Sequence, residues 1–286
     1  MNVGLVSVDS LIPNLALMKL SAWHKAQGDS VEIAAPLWGD YDRVYRSKVF
    51  DFSPNDFAPW GCEVIDGGTG YTLDSHLPEG AENSYPDYDL FGCTYALGRI
   101  TRGCVRRCPW CVVWRQDGKV RQVDTLDGFL REQTHVRLLD DNLTAMPELF
   151  VDTCEELSKR RVLTKFEALD VRLMSVDMAR ALAKVRRWGQ VHFAWDAMNQ
   201  EMAVRKGIDA LKAGGFPLYA ATFYVLIGFD TTPEQDAYRV DALNDLGVES
   251  FVMPFDKADP YQRKFARMTN RKEIFRTTHP RAKVAS

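Results

Sequence analysis

Long apolar runs are missing from this sequence, and no stretch approaches the roughly 20 apolar residues that a membrane-spanning helix needs. The first residues, Met1 to Leu5, lack the basic region and the long apolar segment of an export signal. Cysteine is scarce, with six residues in 286, which argues against the disulfide framework of a small secreted protein. These absences predict a cytoplasmic protein that has no membrane partner.

Positive charge is scarce in the first third of the chain and concentrated at the other end. The net charge is −3, but residues 1–95 hold many more Asp and Glu than Lys and Arg. Between Tyr261 and Lys283 the single acid is Glu273, and the cations are Arg263, Lys264, Arg267, Arg271, Lys272, Arg276, Arg281 and Lys283. Such a segment can contact the phosphates of a nucleic acid, or it can be a solvated helix face with a frayed terminus.

Three of the six cysteines lie within eight positions, in the pattern Cys-x3-Cys-x2-Cys: Cys104, Cys108 and Cys111. Three thiolates so close in sequence converge on one metal centre only if the backbone curls around it. Gly103 and Pro109 supply the residue types that such a loop needs. An iron–sulfur cube has four iron corners, so three thiolates leave one iron to which a substrate or cofactor can bind.

With the aromatic Trp110 before the last cysteine, this stretch resembles the signature of radical S-adenosylmethionine (SAM) enzymes. The resemblance implies a 4Fe-4S cluster whose open iron is chelated by the amino and carboxylate groups of SAM. It implies reductive cleavage of SAM to a 5′-deoxyadenosyl radical, which abstracts a hydrogen atom from a substrate. A reductant such as flavodoxin or ferredoxin is the implied partner. The substrate is unknown; a nucleotide or nucleic acid is suggested by the basic carboxyl-terminal segment.

Other interpretations of the cysteines remain open. A zinc site would need a fourth ligand, for which Cys93 is a candidate, and would make the chain a non-catalytic binding protein. Cys62, Cys93 and Cys154 are most simply ordinary thiols of the interior. Trp110 is expected to pack over the cluster and shield it from water. The alternative is that Trp110 is a plain aromatic residue of the core.

The first 92 residues predict a small Rossmann-like α/β domain. A helix begins after Pro13-Asn14 and is ended by Gly28. The predicted strands are Val3–Val8, Val31–Ala34, Arg43–Phe50 and Glu63–Ile65. This layout resembles a truncated cobalamin-binding module, but its Asp-x-His-x-x-Gly motif is absent. Two positions after Asp9, where the motif has its histidine, the sequence has Leu11. His24 lies inside the helix. We therefore expect a degenerate domain used for packing or substrate contact, with cobalamin binding, and hence cobalamin-dependent methyl transfer, as the alternative.

Residues 93–257 alternate between strand and helix, which predicts a parallel α/β layer. The resemblance implies the partial (β/α)6 TIM-type barrel of radical SAM enzymes for these residues. The basic segment follows over residues 258–286. The predicted strands are 96–101, 136–139, 165–169, 191–193, 219–227 and 250–253. The predicted helices are 125–133, 147–160, 176–188, 201–213 and 234–246.

Polar residues follow several of these strands, at the end where parallel barrels place their sites. Asp140 and Asp141 suit an ammonium group, and the resemblance implies that they bind the amino group of SAM; the alternative is that they cap the next helix. Arg172 suits the SAM carboxylate, and its alternative is a structural ion pair with Asp170.

Two further positions complete the predicted cofactor site. Asp196 follows the fourth strand and is expected to bind a ribose hydroxyl or substrate, whereas the nearby His192 is a candidate core histidine. Gly228 follows the fifth strand, where the resemblance implies that the backbone lies against the adenine of SAM. A glycine there would let the ring approach closely.

Overall fold

The protein is described by a computed structural model over residues 1–35, 39–54, 57 and 61–271. Contacts within the chain divide it into two compact units, Met1–Arg137 and Leu138–Ser286. The division falls inside a strand, whereas the sequence predicts a boundary after residue 92. The domain limits taken from the sequence stay predictions.

The first unit starts with a parallel sheet and one helix. Its elements in chain order are β1 (Asn2–Ser7), α1 (Leu15–Ala26), β2 (Ser30–Ile33), β3 (Arg43–Ser47), β4 (Glu63–Gly67), α2 (Glu79–Glu82), β5 (Ala96–Gly98), β6 (Thr101–Arg102), α3 (Val113–Gln116), β7 (Arg121–Gln122) and β8 (His135–Leu138). The first sheet has the order β2-β1-β3-β4, and its neighbouring strands are parallel. This is the Rossmann-like arrangement predicted for the start of the chain.

Local chemistry sets the ends of α1. The side chain of Asn14 accepts hydrogen bonds from two backbone N–H groups of the first turn, which is the usual work of an N-cap residue. Gly28 follows the helix with a φ of 85°. Leu17 and Leu20 pack with Leu5 of β1 in one buried cluster. The prediction of a helix that begins after Asn14 and ends before Gly28 is confirmed.

The second unit alternates between helices and strands. Its elements in chain order are α4 (Pro147–Arg160), β9 (Leu163–Phe166), α5 (Val176–Lys184), β10 (Val191–Ala194), α6 (Glu201–Ala213), β11 (Ala221–Ile227), α7 (Pro233–Asp245), β12 (Glu249–Pro254) and α8 (Pro260–Asn270). β10, β11 and β12 are parallel neighbours in one sheet. α7 packs on β11 and α8 packs on β12. The predicted α/β class with parallel strands is confirmed.

The strand β11 has one buried and one half-buried face. Phe223 and Val225 are fully buried, whereas Tyr224 and Leu226 alternate with them and are half-buried. Because parallel strands run in one direction, the carboxyl ends of β10 and β11 lie at the same edge of the sheet. The residues that follow those ends, Asp196 and Gly228, are therefore brought to one side of the unit.

The predicted helix over residues 125–133 is wrong. The structure has only a short 3-10 turn, Leu126–Gly128, followed by the buried residues Phe129 and Leu130. The carbonyl of Phe129 accepts a hydrogen bond of 2.6 Å from the hydroxyl of Tyr88. That carbonyl would bond the fourth following N–H group if the helix continued, so a tertiary contact has replaced the helical one.

Several other predicted boundaries differ from the structure: β3 ends at Ser47 and not at Phe50, for example, and β9 covers Leu163–Phe166 and not 165–169. Two of the differences have a clear cause in the strand pairing. The strand predicted over 96–101 is divided, because the chain leaves β5 and pairs as β6 with β7. The helix predicted to reach Trp188 ends at Lys184. Thr164 of β9 donates its N–H to the carbonyl of Arg186 and accepts the N–H of Trp188. Because of these two hydrogen bonds, Arg186 and Trp188 pair with β9 and do not continue the helix.

Helices of the length and hydrophobicity that a bilayer crossing requires are absent from the part of the chain that the structure describes.

Candidate functional site

The three clustered cysteines lie on a loop that is closed at its base. β6 pairs antiparallel with β7, with Thr101 opposite Gln122 and Arg102 opposite Arg121. Just beyond this pairing, the N–H of Cys104 donates to the carbonyl of Gly118 over 3.1 Å. Residues 103–120 therefore form one closed loop, which we call the cysteine loop.

Gly103 is required by the geometry of this base. Its φ is 85°, a conformation that residues with a side chain rarely adopt. A β-carbon at this position would lie 2.5 Å from the carbonyl oxygen of Lys119 on the other side of the loop. The glycine noted in the sequence thus has a steric reason, which is independent of any metal.

The loop holds the three thiols half-buried. The N–H of Cys111 donates to the carbonyl of Cys108 over 3.0 Å, which makes a tight turn through Pro109 and Trp110. The backbone N–H of Arg106 donates to the sulfur of Cys104 over 3.3 Å. Hydrogen bonds to sulfur are one of the means by which proteins tune iron–sulfur clusters.

Trp114 of α3 is a loop residue that the sequence did not single out. Its indole N–H donates to the carbonyl of Cys108 over 3.2 Å and fixes the second cysteine. The sequence signal is weak, since it consists only of an aromatic residue that follows Cys111 closely. Trp110 is half-buried on the same loop, and its contact with a cluster stays a prediction.

The chemistry of these donors fits an iron–sulfur cluster, because soft thiolates on one closed loop are its usual ligands. All six cysteines are thiols and not disulfides. Across the described ranges, no three His, Cys, Asp or Glu side chains meet closely enough to hold a metal ion. Cys104, Cys108 and Cys111 are thus brought onto one loop, and their binding of a common cluster stays a prediction.

Arg102 at the base of the loop is used structurally. Its guanidinium lies 3.1 Å from the carboxylate of Glu82 and 3.4 Å from that of Asp117. These two partners balance its charge and connect the loop with α2.

The residues after β8 are buried and connected to the end of β9. Asp140 is 5% exposed, and Thr144 is fully buried. The hydroxyl of Thr144 donates to the side-chain oxygen of Asn142 over 2.6 Å and accepts the backbone N–H of Asp170 over 3.0 Å. The sequence analysis missed Thr144, which links the two strand ends.

The alternative that Asp140 or Asp141 caps the next helix is wrong. α4 begins at Pro147, its N-cap position is Met146, and among the described residues no side chain caps it. The proline at the first position needs no cap for its own nitrogen, because it has no N–H group. The carboxylates of Asp140 and Asp141 therefore remain candidates for binding a cation.

Asp170 and Arg172 form the ion pair that the sequence left as an alternative. The guanidinium donates Nε to Oδ1 over 2.6 Å and Nη2 to Oδ2 over 3.0 Å. Both side chains are largely buried, with 5% and 12% of their surface exposed. The pair uses two of the five guanidinium donors. The contact of Arg172 with the carboxylate of SAM stays a prediction. It would have to form while Arg172 is paired with Asp170.

Asp196 lies in the field of the same groups. Its Oδ1 accepts the N–H of Leu226 over 3.3 Å. Burial raises the pKa of the Asp196 carboxyl, Arg172 and Arg239 oppose that shift, and the charge of Asp170 adds to it. The structure thus brings Asp170, Arg172 and Asp196 together at the carboxyl ends of β9 and β10.

Gly228 forms a turn directly after β11. Its φ is 76°, and a β-carbon would lie 2.1 Å from the amide nitrogen of the Gln262 side chain. Its N–H donates to the hydroxyl of Thr231 over 3.2 Å. The turn and the contact with α8 explain the glycine, so its role against adenine stays a prediction with a structural alternative.

The cysteine loop predicts a specific pattern of iron binding. Cys104→Ala, Cys108→Ala and Cys111→Ala should each lose most of the iron taken up on anaerobic reconstitution, because each removes one cluster ligand. Cys62→Ser is the control and should retain about four irons per chain, as the unchanged protein does. Full iron in any of the three alanine variants would contradict the assignment of the ligands.

The raised pKa of Asp196 predicts a pH-dependent gain of stability in Asp196→Asn. Burial favours the protonated acid, so its stabilisation is complete below the ordinary Asp pKa and is lost as the pH rises through the raised value. The neutral amide avoids this loss. We expect a melting temperature about 2–4 °C higher at pH 7 and a difference that shrinks towards pH ~4.

Thermal unfolding between these two pH values measures the effect. The control is Asp209→Asn, because Asp209 is an exposed carboxylate on α6 of the same unit. Its substitution should change little at any pH. A lower melting temperature for Asp196→Asn at pH 7 would show that the Asp196 carboxylate is stabilised in its charged form.

Comparison with known proteins bears on the family. No family model matches the chain. The anaerobic magnesium-protoporphyrin IX monomethyl ester cyclase of Cereibacter sphaeroides is 24% identical over 213 residues, in a match that covers 66% of the chain and 34% of the cyclase. The chain thus spans about a third of the length of this curated relative.

A solved structure has a similar fold. The radical S-adenosylmethionine methyltransferase TsrM from Kitasatospora setae, determined with cobalamin and a [4Fe-4S] cluster bound, superposes with a TM-score of 0.64 and 12% identity. The match covers 88% of this chain and 74% of TsrM. It supports the predicted partial barrel. The cysteine motif, the related sequence and this fold all agree with the predicted resemblance to radical SAM enzymes.

Proposed function

We propose that the protein cleaves SAM reductively at a 4Fe-4S cluster held by Cys104, Cys108 and Cys111. The observation that carries the proposal is the closed cysteine loop, which presents three thiols and so leaves one corner of a cube for SAM. When bound, the cluster and SAM supply an electron and a sulfonium whose cleavage gives the 5′-deoxyadenosyl radical for hydrogen abstraction.

The side chains after the strands would orient the cofactor. Asp140 and Asp141 suit the ammonium group of SAM, since paired carboxylates are stabilised by a cation. Arg172, held by Asp170, would bind the SAM carboxylate through its guanidinium. Asp196 would bind a ribose hydroxyl, and the Gly228 turn would lie along the adenine. Asp140 and Asp170 are buried, and such an environment strengthens electrostatic contacts.

The positive charge near the carboxyl end of the chain suggests a class of substrate. A nucleotide or nucleic acid is favoured by the basic segment, 258–286. Within the described part of it, α8 exposes Arg263, Lys264 and Arg267, while the cations from Lys272 onwards lie outside the described residues. A flavodoxin or ferredoxin is the proposed source of the electron. Transfer of deuterium from a labelled substrate to 5′-deoxyadenosine would identify the molecule that is attacked.

The proposal predicts release of 5′-deoxyadenosine. Anaerobically reconstituted protein that is reduced with dithionite in the presence of SAM should form it, whereas Cys104→Ala should not. Cys62→Ser, in which the loop is intact, should behave as the unchanged protein. If iron is present and SAM is left intact, the chain is a non-catalytic iron–sulfur protein instead.

A second candidate, methyl transfer through cobalamin, has support from the first unit. Its sheet order reverses between β1 and β3, and parallel sheets bind ligands where the order reverses. The similar structure TsrM contains cobalamin. The one histidine of α1 does not suit a metal, because His24 contacts Asp29 at 2.6 Å and Tyr45 at 3.0 Å. Corrinoid absorbance in purified protein and a methylated product would favour this candidate.

A further inference from the structure

A fully buried ion pair lies behind the proposed cofactor site. Arg239 and Asp236 of α7 are both 0% exposed, and Nη2 of the guanidinium donates to Oδ1 of the carboxylate over 2.6 Å. Replacement of such a pair by apolar side chains is often neutral or stabilising, because the charges must first lose their hydration. Stability alone is therefore a weak reason for its presence.

The guanidinium of Arg239 connects the ends of two strands. Nη1 donates to the carbonyl of Trp195 over 2.9 Å, and Nη2 donates to that of Leu226 over 2.9 Å. Trp195 directly precedes Asp196, and the N–H of Leu226 donates to the Asp196 carboxylate. One side chain thus fixes both the backbone before Asp196 and the hydrogen-bond donor of its carboxylate.

The carboxylate of Asp236 connects to the next strand end. Its Oδ1 accepts the hydroxyl of Thr231 over 2.7 Å, and that hydroxyl accepts the N–H of Gly228 over 3.2 Å. From α8, the hydroxyl of Tyr261 donates to Oδ2 over 3.3 Å. The hydroxyl of Thr231 thus bonds to both the buried pair and the Gly228 turn. Among the described residues, no other single side chain has hydrogen bonds to both.

We propose that Asp236 and Arg239 are positioning residues for the adenosine end of SAM. Through Arg239 they set the place of Asp196, and through Thr231 they set the Gly228 turn, without touching the cofactor themselves. The inference rests on the proposed function, since it assigns Asp196 and Gly228 to the ribose and the adenine. It adds three residues that no resemblance or motif assigns to binding.

The sharpest test uses Thr231, because a change there leaves the buried pair intact. Thr231→Val has a similar shape but loses both hydrogen bonds, while Thr231→Ser keeps a hydroxyl. We expect Thr231→Val to raise the KM for SAM in 5′-deoxyadenosine formation about fivefold, with kcat changed less than about twofold, because loss of the hydroxyl releases the Gly228 turn from the buried pair. Thr231→Ser should remain near the unchanged protein.

A second readout needs no cluster and no turnover. Amide hydrogen exchange of the peptide that spans residues 224–231 should be faster in Thr231→Val than in Thr231→Ser, since the Gly228 N–H has lost its acceptor. Ser175→Ala controls for general destabilisation. Ser175 caps α5 in the same unit by accepting the N–H of Met178, and its loss should lower the melting temperature with the KM for SAM unchanged.

The outcomes separate this inference from the function on which it rests. If the unchanged protein binds SAM and releases 5′-deoxyadenosine but Thr231→Val and Thr231→Ser share one KM, the positioning role is overturned and the function stands. If Ser175→Ala raises the KM as much as Thr231→Val, the effect is general destabilisation and the inference is also overturned. If the unchanged protein neither binds nor cleaves SAM, both fail.

Discussion

Closure of the cysteine loop at its base is the constraint on which the chemistry of this chain depends. Three thiols can serve one cluster only if the loop that carries them is held in one conformation. Here β6 and β7 fix the two ends, the bond from Cys104 to Gly118 closes them, and Gly103 allows their backbones to approach. Because the restraint is made by backbone groups, the side chains of the loop can differ while its path is kept.

The carboxyl ends of the strands in the second unit follow a different principle. Two buried carboxylates there have a cation as a partner that lowers the cost of burial: Asp170 has Arg172, and Asp236 has Arg239. Asp196 differs from these two, since one backbone N–H is its hydrogen-bond donor and burial raises its pKa in spite of Arg172 and Arg239 nearby. A ligand hydroxyl beside it would supply the missing polar contact, which is why the proposed ribose site is placed there.

The sequence predicted best those features that are decided locally. The helices Pro147–Arg160 and Glu201–Ala213 have the predicted bounds, because proline and helix-forming residues at their ends act within one turn. Predictions failed where a distant group intervened, as when Tyr88 took the carbonyl of Phe129 or Thr164 paired with Arg186. Such contacts cannot be read from a window of neighbouring residues.

The same distinction separates the site residues that the sequence revealed from those that it did not. The cysteine motif was visible because its spacing is local, and the strand-end residues Asp170 and Arg172 because they are close in sequence. Asp236 and Arg239 were missed, since an acid and a base three residues apart look like an ordinary surface pair of a helix. Only their burial among Trp195, Leu226 and Thr231 distinguishes them. The signal that could have found them is their place on the buried stripe of α7.

The central claim is that three cysteines hold an iron cube with one corner open to SAM. Electron paramagnetic resonance of the dithionite-reduced, reconstituted protein tests this most directly, with spectra recorded before and after SAM is added. A cluster with an open iron should give the signal of a reduced 4Fe-4S centre whose g values change when SAM coordinates. A preparation that contains only zinc, or a cluster signal that SAM leaves unchanged, would contradict it.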